Sequence, residues 1–192
     1  MVTPLGLNST ETWNNLISGN SGINPITSFD AENYETRIAA EIQNFDPTEF
    51  MDPKEARRND RFSQFAISAS IQAMDQAGLV IKESDAAKAA VIIGSGIGGI
   101  LTISEQFEVL HQKGPSRISP FLVTKMLVDM ASGQVSIKLG AKGPNYSTVT
   151  ACASGSDAIG HGFELIRRNG ADVVIAGGTE ASICPIAISG FS

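Results

Sequence analysis

One cysteine of the chain stands in a setting that suits nucleophilic chemistry. Cys152 follows a short β-branched run, residues 148–150, and precedes a segment rich in glycine and alanine. A strand that turns abruptly into a helix at a nucleophilic side chain is the arrangement of nucleophile elbows. A helix N-terminus favours negative charge nearby, and the thiolate is the form of cysteine that attacks. We therefore predict that Cys152 is a catalytic nucleophile, against the alternative of an inert buried core thiol.

The segment after Cys152 would be a poor helix in isolation. Gly155, Gly160 and Gly162 each cost a helix roughly 1 kcal/mol relative to alanine. Such a helix persists only where it packs closely against other backbone. The composition therefore predicts a buried central helix whose N-terminus points at the cysteine, so that the amide of Cys152 can donate to an oxyanion.

No base for this thiol is evident in the sequence. His161 lies nine residues beyond Cys152, which is about 13 Å along a helix and too far for contact. His111 falls at the end of a predicted helix over residues 99–110, where a capping or surface role suits it. Papain-like proteolysis needs a histidine next to the cysteine, and thiol redox chemistry needs a second cysteine nearby. The sequence offers neither, so neither activity fits. We interpret Cys184 as structural.

The composition is that of an ordinary globular domain. The 192 residues are 42% hydrophobic with a net charge of −6, which argues against nucleic acid as a partner because phosphate binding needs clustered positive charge. Two cysteines make neither a disulfide framework nor a metal-site spacing. No apolar run approaches the roughly 18 residues of a membrane span, and the N-terminus lacks a signal-peptide profile. We expect a cytoplasmic protein.

Helical and strand patterns alternate along the chain. Helices are predicted over residues 9–18 and 61–77, with one or two more within 119–140. Buried strands are predicted over residues 90–94 and 171–177, and a weaker β-like pattern lies around 37–42. This alternation predicts an α/β fold in which helices pack on a sheet.

A glycine-rich stretch follows the first buried strand. Residues 94–99 (GSGIGG) formally match the dinucleotide-binding pattern. The acidic residue that this pattern requires about 20 positions further on is missing around residues 115–122. We therefore expect the glycines to serve close backbone approach at the end of the strand.

A cluster of cations precedes the longest predicted helix of this acidic chain. It consists of Lys54, Arg57, Arg58 and Arg61. One interpretation is a solvated helix face with Glu55 and Asp60 interspersed. The other is a docking patch for an anionic partner, which Arg117 could extend.

Five motifs resemble those of β-ketoacyl-acyl carrier protein synthases of the elongating type, most closely type II. They are TACASG (150–155, followed by AIG at 158–160), MVTPLG (1–6), IGSGIGG (93–99), ISPF (118–121) and AGGTEA (176–181). The motifs occur in the order of that family, and the resemblance covers essentially the whole chain. It implies a thiolase-like layered α-β-α fold built from two similar halves.

The resemblance also implies roles for individual residues. Cys152 would accept an acyl group, and no cofactor or metal would be required. The implied substrate-binding residues are Ile97, Ala151 and Phe191 in the acyl pocket, with Leu122 lining the channel of the neighbouring subunit of a homodimer. The implied docking residues for acyl carrier protein are Lys54, Arg57, Arg58 and Arg117.

Members of that family are longer than this chain and begin with a strand just before the segment that matches residues 1–4. We therefore expect residues 1–192 to be the first half of a thiolase-like domain, a fragment lacking the opening strand and the second half. Enzymes of the family condense malonyl-carrier with an acyl group that is held on the cysteine. Carbon dioxide is lost in this step, and the fatty acid is elongated. Its two catalytic histidines and a lysine come from the second half, so the fragment alone is expected to be inactive.

Two other functions stay open. A non-catalytic chain-length or partner subunit of a polyketide system would keep the fold but replace the nucleophile, whereas Cys152 is retained. A thiolase-type coenzyme A acyltransferase would share both fold and cysteine. The TACASG motif and the cluster of cations favour an enzyme that acts on acyl carrier protein over one that acts on coenzyme A.

Overall fold

The computed structural model describes all residues from 1 to 192. In chain order the elements are α1 (Ser9–Ile17), β1 (Asn24–Pro25), β2 (Ile38–Ala39), α2 (Pro53–Arg58), α3 (Arg61–Ala77), β3 (Ala89–Gly94), α4 (Ile100–Lys113), α5 (Leu122–Met126), α6 (Met130–Leu139), β4 (Asn145–Tyr146), α7 (Ser154–Arg167), β5 (Val173–Gly178) and α8 (Pro185–Phe191). None of the helices combines the length and the apolar character that crossing a membrane would take.

The main sheet consists of three parallel strands in the order β4-β3-β5. Strands β3 and β5 pair along their full length, from Ala89 opposite Val173 to Gly94 opposite Gly178, so both end at the same edge. Every residue of β3 is buried, as expected for the central strand of a parallel sheet covered on both faces. The buried strand predicted over residues 90–94 is confirmed. The strand predicted over residues 171–177 forms as β5, but it begins at Val173 and is half-buried, because it lies at the edge of the sheet.

Helices α3 and α6 cover one face of the sheet. Val91 and Ile93 of β3 join a core cluster with Phe62 and Ile67 of α3 and Val135 of α6. Burying such side chains is the main favourable contribution to folding. The opposite face of the sheet is covered by α7, so the layered α-β-α arrangement is confirmed.

Local signals set both ends of α3. The Asp60 side chain accepts the N–H of Phe62 at the start of the helix, and Gly78 ends it in the left-handed conformation with φ +62°. A short polar side chain at the N-cap and a glycine just past the last turn are the usual boundaries of a helix. The helix predicted over residues 61–77 is confirmed at both ends.

Glycines bring α7 unusually close to the sheet. A Cβ on Gly162 would lie 3.1 Å from Val174 and 3.3 Å from Ala176. A Cβ on Gly178 of β5 would lie only 2.7 Å from the Cα of Gly155. The close backbone packing predicted for this helix is therefore confirmed on the side that faces the sheet.

The other side of α7 is open. Ile159 and Phe163 are 58% and 65% exposed, and a Cβ on Gly160 would meet nothing within 4 Å. The prediction of a buried central helix is therefore wrong for this face of α7 in residues 1–192. The physical reason is that Gly155 and Gly162 secure close packing on only one face.

One further local prediction is wrong. Residues 148–150 do not form a strand, because the parallel pairing with Val91 and Ile92 is made earlier, by Asn145 and Tyr146. The helix predicted over residues 9–18 does form, as α1, and Asn8 caps it. Trp13 of this helix is 59% exposed.

A surface hairpin precedes these layers. Strands β1 and β2 pair antiparallel, in agreement with the β-like pattern around residues 37–42. The Glu41 carboxylate accepts the backbone N–H groups of Thr27 at 2.9 Å and Ser28 at 3.0 Å. Desolvation raises the pKa of Glu41, but the hydrogen bonds from Ser28 and Thr27 outweigh it and lower the pKa from 4.5 to about 2. A carboxylate that caps the hairpin in this way stabilises it in its charged form.

Candidate active site

Cys152 lies in a single tight turn, residues Ala151–Ala153, immediately before α7. Ala151 has φ +51°, a left-handed conformation that costs a residue other than glycine roughly 1–2 kcal/mol. Hydrogen bonds of Ser154 hold the turn: its Oγ donates to the Ala151 carbonyl at 2.6 Å and accepts the Thr150 N–H at 3.0 Å. Backbone strain that is fixed by surrounding contacts is frequent at functional sites.

The turn presents Cys152 to solvent, whereas the second cysteine is enclosed. Cys152 is exposed, and Cys184 is buried at the start of α8. The backbone N–H of Cys152 donates to no acceptor within the chain, so it is free to donate to a bound oxyanion, a role that stays a prediction. The structure thus places the predicted nucleophile at an accessible position ahead of a helix N-terminus.

An open cavity of about 490 Å³ adjoins this cysteine. Its walls include Ile97, Ala151 and Phe191 together with Cys152, so the structure brings three of the four expected substrate-binding residues to the nucleophile. The remaining lining residues are Gly94, Ser95, Gly96, Ser154, Gly155, Gly178, Thr179, Glu180 and Ser182. Leu122, at the start of α5, does not line it. Its role toward a neighbouring subunit stays a prediction.

The glycine-rich loop after β3 is occupied by a carboxylate of the same chain. Glu180 Oε2 accepts the N–H of Gly96 at 2.8 Å and that of Ile97 at 3.3 Å. Backbone N–H groups of such loops are the donors that bind phosphate in nucleotide sites, and here Glu180 takes them. This contact gives a physical reason why the dinucleotide pattern does not describe the loop.

Sequence reasoning gave Glu180 no role, although the residue lies within the AGGTEA motif of residues 176–181. The residue follows β5 and reaches the loop after β3, more than 80 positions earlier in the chain. One signal could have found it: an acidic residue two positions after a parallel strand lies at the same edge as the glycine loop. Glu180 is therefore an additional residue of this cavity.

Neither histidine lies at the cysteine. His161 is on α7, with its Nδ1 3.3 Å from the Tyr146 hydroxyl and its Nε2 3.7 Å from the Asp157 carboxylate. It lines a separate cavity of about 270 Å³. His111 lies within the last turn of α4, slightly before the helix end rather than beyond it. No group of three or more histidine, cysteine or acidic side chains is placed to hold a metal ion.

Three of the predicted docking cations are exposed on α2 and one on the turn after α4. They are Lys54, Arg57, Arg58 and Arg117, and none forms an ion pair with an acidic group of the chain. The Arg58 guanidinium lies 5.3 Å from the centre of the Phe121 ring. Both residues, with Lys54, line a shallow cavity of about 500 Å³. Asp52 lines the same cavity, and its pKa is lowered by hydrogen bonds from the backbone N–H groups of Glu55 and Lys54, with a contribution from the charge of Lys54. The positive charge of this surface is therefore not tied up in ion pairs, although acidic groups lie nearby.

The other charged residues of that segment are engaged elsewhere. Arg61 turns inward and lies 4.8 Å from the centre of the Phe45 ring, and desolvation lowers its pKa. Asp60 is buried and accepts from Thr102 at 2.6 Å. Glu55 pairs with Lys138 at 3.0 Å. The interspersed acids thus do not neutralise the exposed cations, which weakens the interpretation as an ordinary solvated face.

The layered sheet and the cysteine turn at its edge define a class, the thiolase-like ketosynthases. The family model described as "Beta-ketoacyl synthase, N-terminal domain" matches residues 1–192, and the chain belongs to this family. It is 49% identical over 191 residues to the 3-oxoacyl-(acyl-carrier-protein) synthase 2 of Synechocystis sp., covering all of this chain and 46% of that protein. The chain spans about half the length of the curated relatives it matches.

Solved structures agree with this assignment. The ishigamide ketosynthase/chain length factor superposes with a TM-score of 0.87 at 28% identity, covering 99% of this chain and 47% of that one. A beta-ketoacyl synthase from Burkholderia phymatum gives a TM-score of 0.85 at 28% identity, with the same coverage. The fold expected from the sequence motifs, thiolase-like and α/β, is confirmed.

Proposed function

We propose that the whole protein is an elongating β-ketoacyl-acyl carrier protein synthase of type II in fatty-acid synthesis, with Cys152 as its nucleophile. The observation that carries the proposal is the exposed thiol of Cys152, held by a strained turn at the wall of an open cavity. A relative that is 49% identical across all of this chain and named 3-oxoacyl-(acyl-carrier-protein) synthase 2 supports the same reaction class.

The proposed reaction has two stages at the same sulfur. The Cys152 thiolate attacks the carbonyl carbon of a carrier-bound acyl thioester, and the unpaired N–H of Cys152 donates to the oxyanion that forms. Collapse of this intermediate breaks the old carbon–sulfur bond, and the carrier leaves as a thiolate that takes up the proton Cys152 released on ionising. A malonyl thioester then loses carbon dioxide, and its carbanion attacks the acyl-enzyme. The bond to Cys152 breaks, and a β-ketoacyl-carrier is released.

The second stage requires basic side chains close to the sulfur, and neither histidine of residues 1–192 lies next to Cys152. His161 faces Tyr146 and Asp157, and His111 is on α4. We propose that residues 1–192 form the first half of the catalytic domain and that a second half supplies two histidines and a lysine. No redox cofactor or metal has a step in this reaction.

The partner in this proposal is an acyl carrier protein. The exposed cations Lys54, Arg57, Arg58 and Arg117 would receive its acidic surface, since opposite charge guides association. We further propose a cytoplasmic homodimer in which Leu122 reaches the acyl channel of the neighbouring subunit. Ile97, Ala151 and Phe191 would line the channel beside Cys152.

The experiment is a condensation assay with acyl-carrier and malonyl-carrier, followed by mass spectrometry of the carrier-bound product. Residues 1–192 alone are expected to give no β-ketoacyl product, whereas the same residues joined to a condensing-enzyme second half are expected to turn over. Sustained carbon–carbon bond formation by residues 1–192 alone would contradict the need for a second half. Failure of the joined protein as well would contradict the proposed activity.

A second candidate is a non-catalytic chain-length or partner subunit of a polyketide system. One similar solved structure is the ishigamide ketosynthase/chain length factor, whose name covers both kinds of subunit. The exposed Cys152 favours the enzyme. Alkylation by iodoacetamide separates the two: a modified Cys152 beside an unmodified Cys184 is expected for the enzyme, and an inert Cys152 for the partner subunit.

A thiolase-type acyltransferase would instead accept the acyl group equally well from coenzyme A.

A further inference from the structure

The carboxylate of Glu180 connects two strand ends at the cavity. Its backbone is fixed by its neighbour Thr179, whose N–H donates to the Gly94 carbonyl at 3.0 Å and whose hydroxyl donates to the Phe62 carbonyl at 2.6 Å. From there the side chain reaches over the end of β3 into the loop that follows. Glu180 lies on the wall of the cavity next to Cys152.

Glu180 binds most of that loop. Its Oε2 accepts the N–H groups of Gly96 and Ile97, and its Oε1 accepts the hydroxyl of Ser95 at 3.2 Å. The Ser95 Oγ in turn accepts the N–H of Gly98 at 3.0 Å. Hydrogen bonds to an ionised acceptor are stronger than those between neutral groups, so one side chain fixes residues 95–98.

The far side of the same loop rests on the backbone before α6. The N–H of Gly99 donates to the Met126 carbonyl at 3.2 Å. A Cβ on Gly98 would lie 3.1 Å from that carbonyl oxygen and 3.0 Å from the Val128 side chain. The loop is therefore held between Glu180 on one side and residues 126–128 on the other, and Ile97 of this loop lines the cavity.

Gly96 brings this arrangement up to the nucleophile turn. A Cβ at Gly96 would lie 3.0 Å from Glu180 Oε2 and 3.5 Å from the Ala151 carbonyl oxygen. The loop thus passes between the carboxylate and the turn that holds Cys152. A displacement of the loop would change the position of Ile97 relative to the sulfur.

We propose that Glu180 is a positioning residue that clamps residues 95–98 and thereby sets how Ile97 limits the acyl chain accepted at Cys152. The clamp itself follows from the contacts of Glu180, and its consequence for acyl selection rests on the proposed function. Loss of the carboxylate would free the N–H groups of Gly96 and Ile97. The Ile97 side chain could then move aside, and the cavity would accept longer or bulkier acyl groups.

The clamp is tested without any enzymatic activity by amide hydrogen exchange at Gly96 and Ile97. Glu180→Ala is expected to speed exchange at these two amides roughly tenfold or more, because hydrogen bonds to a charged acceptor are lost. Glu180→Gln keeps the shape and one acceptor oxygen, so an intermediate rate is expected. Glu83→Gln, at a surface ion pair with Lys142, is the matched control. Unchanged exchange in Glu180→Ala, at an unchanged melting temperature, would overturn the clamp.

Acyl selection is tested in the whole protein by the rate at which Cys152 is acylated from carrier donors of increasing chain length. Glu180→Ala is expected to shift the ratio of long-chain to short-chain rates at least severalfold, with partial return in Glu180→Gln. A uniform loss at every chain length would overturn the selectivity role and leave only a structural one. If wild-type protein acylates with no donor, the proposed function fails, while the amide exchange still decides whether the clamp exists.

Discussion

The turn that carries Cys152 depends on the backbone of one neighbour. Ala151 has φ +51°, and its carbonyl accepts the Ser154 hydroxyl. A methyl side chain in this conformation is strained, yet the hydrogen bonds of Ser154 leave the turn no relaxed alternative. The strained conformation of Ala151 therefore lowers the stability of the fold. Substitution of Ala151 should reveal by how much.

Ala151→Gly is expected to stabilise the chain by up to about 1.5 kcal/mol. Relief of the left-handed strain gains roughly 1–2 kcal/mol, and the greater freedom of glycine in the unfolded chain takes back about 0.4–1 kcal/mol. The matched control is Ala153→Gly, where φ is −90° and a loss is expected. Urea unfolding of both variants measures the difference, and a destabilised Ala151→Gly would contradict strain at this position.

Glu41→Gln is expected to lower stability at neutral pH but not in strong acid. The pKa of Glu41 is about 2 in the folded chain and 4.5 without the fold. A lowered folded pKa contributes stability above the unfolded value, and that contribution is lost as the pH falls through the folded pKa. Melting temperatures of wild type and variant should therefore converge between pH 4.5 and 2. The control variant is Glu35→Gln, because the Glu35 carboxylate makes no hydrogen bond and its loss should not change the pH dependence of the melting temperature. A difference in melting temperature between wild type and Glu41→Gln that stays constant from pH 7 to pH 2 would contradict the lowered pKa of Glu41.

The contact between α7 and β5 is what sets the cysteine turn against the sheet edge. Gly155 and Gly178 meet backbone to backbone at the point where α7 begins and β5 ends. Neither position has room for a Cβ without movement of the helix or the strand. The same helix leaves Gly160 in open space.

Gly178→Ala is expected to destabilise the chain by about 1–3 kcal/mol, the usual result of overpacking. Its Cβ would lie 2.7 Å from the Cα of Gly155, so α7 must shift. Gly160→Ala, on the exposed face of the same helix, is expected to stabilise it by roughly 0.5–1 kcal/mol. Denaturant unfolding of both variants tests this. Equal effects of the same sign would contradict the close packing.

The sequence predicts the elements whose boundaries are set locally. Helix α3 is predicted at both ends because Asp60 and Gly78 adjoin it. The proposed strand over residues 148–150 fails because pairing depends on β3, more than 50 residues away, and on Ser154, which bends this segment into a turn. Glu180 escapes prediction for the same reason, since its partners lie far away in sequence.

Charge over the whole molecule is uneven. The chain has a net charge of −6, yet the exposed cations of α2 and Arg117 form no ion pair. By contrast, Arg167 and Arg168 at the end of α7 both pair with Glu164. A region of free positive charge on an acidic protein suits an acidic partner and matters most for the rate of association.

The variant with Arg57→Ala and Arg58→Ala is expected to bind acyl carrier protein roughly threefold to thirtyfold more weakly. Exposed charge pairs contribute up to about 1 kcal/mol each. The effect should shrink as salt is raised, because salt screens exposed charges. Arg167→Ala with Arg168→Ala is the matched control for an adjacent arginine pair. Calorimetry with the whole protein measures both, and equal affinities would reduce the patch to a solvated face.

The central claim is that Cys152 accepts the acyl group. The direct measurement is peptide mass spectrometry of the protein after incubation with an acyl-carrier thioester and no malonyl donor. We predict one added acyl mass on the peptide that contains Cys152 and none on the peptide that contains Cys184, with the adduct absent in Cys152→Ala. An unmodified Cys152, or acyl mass on Cys184 instead, would contradict the account.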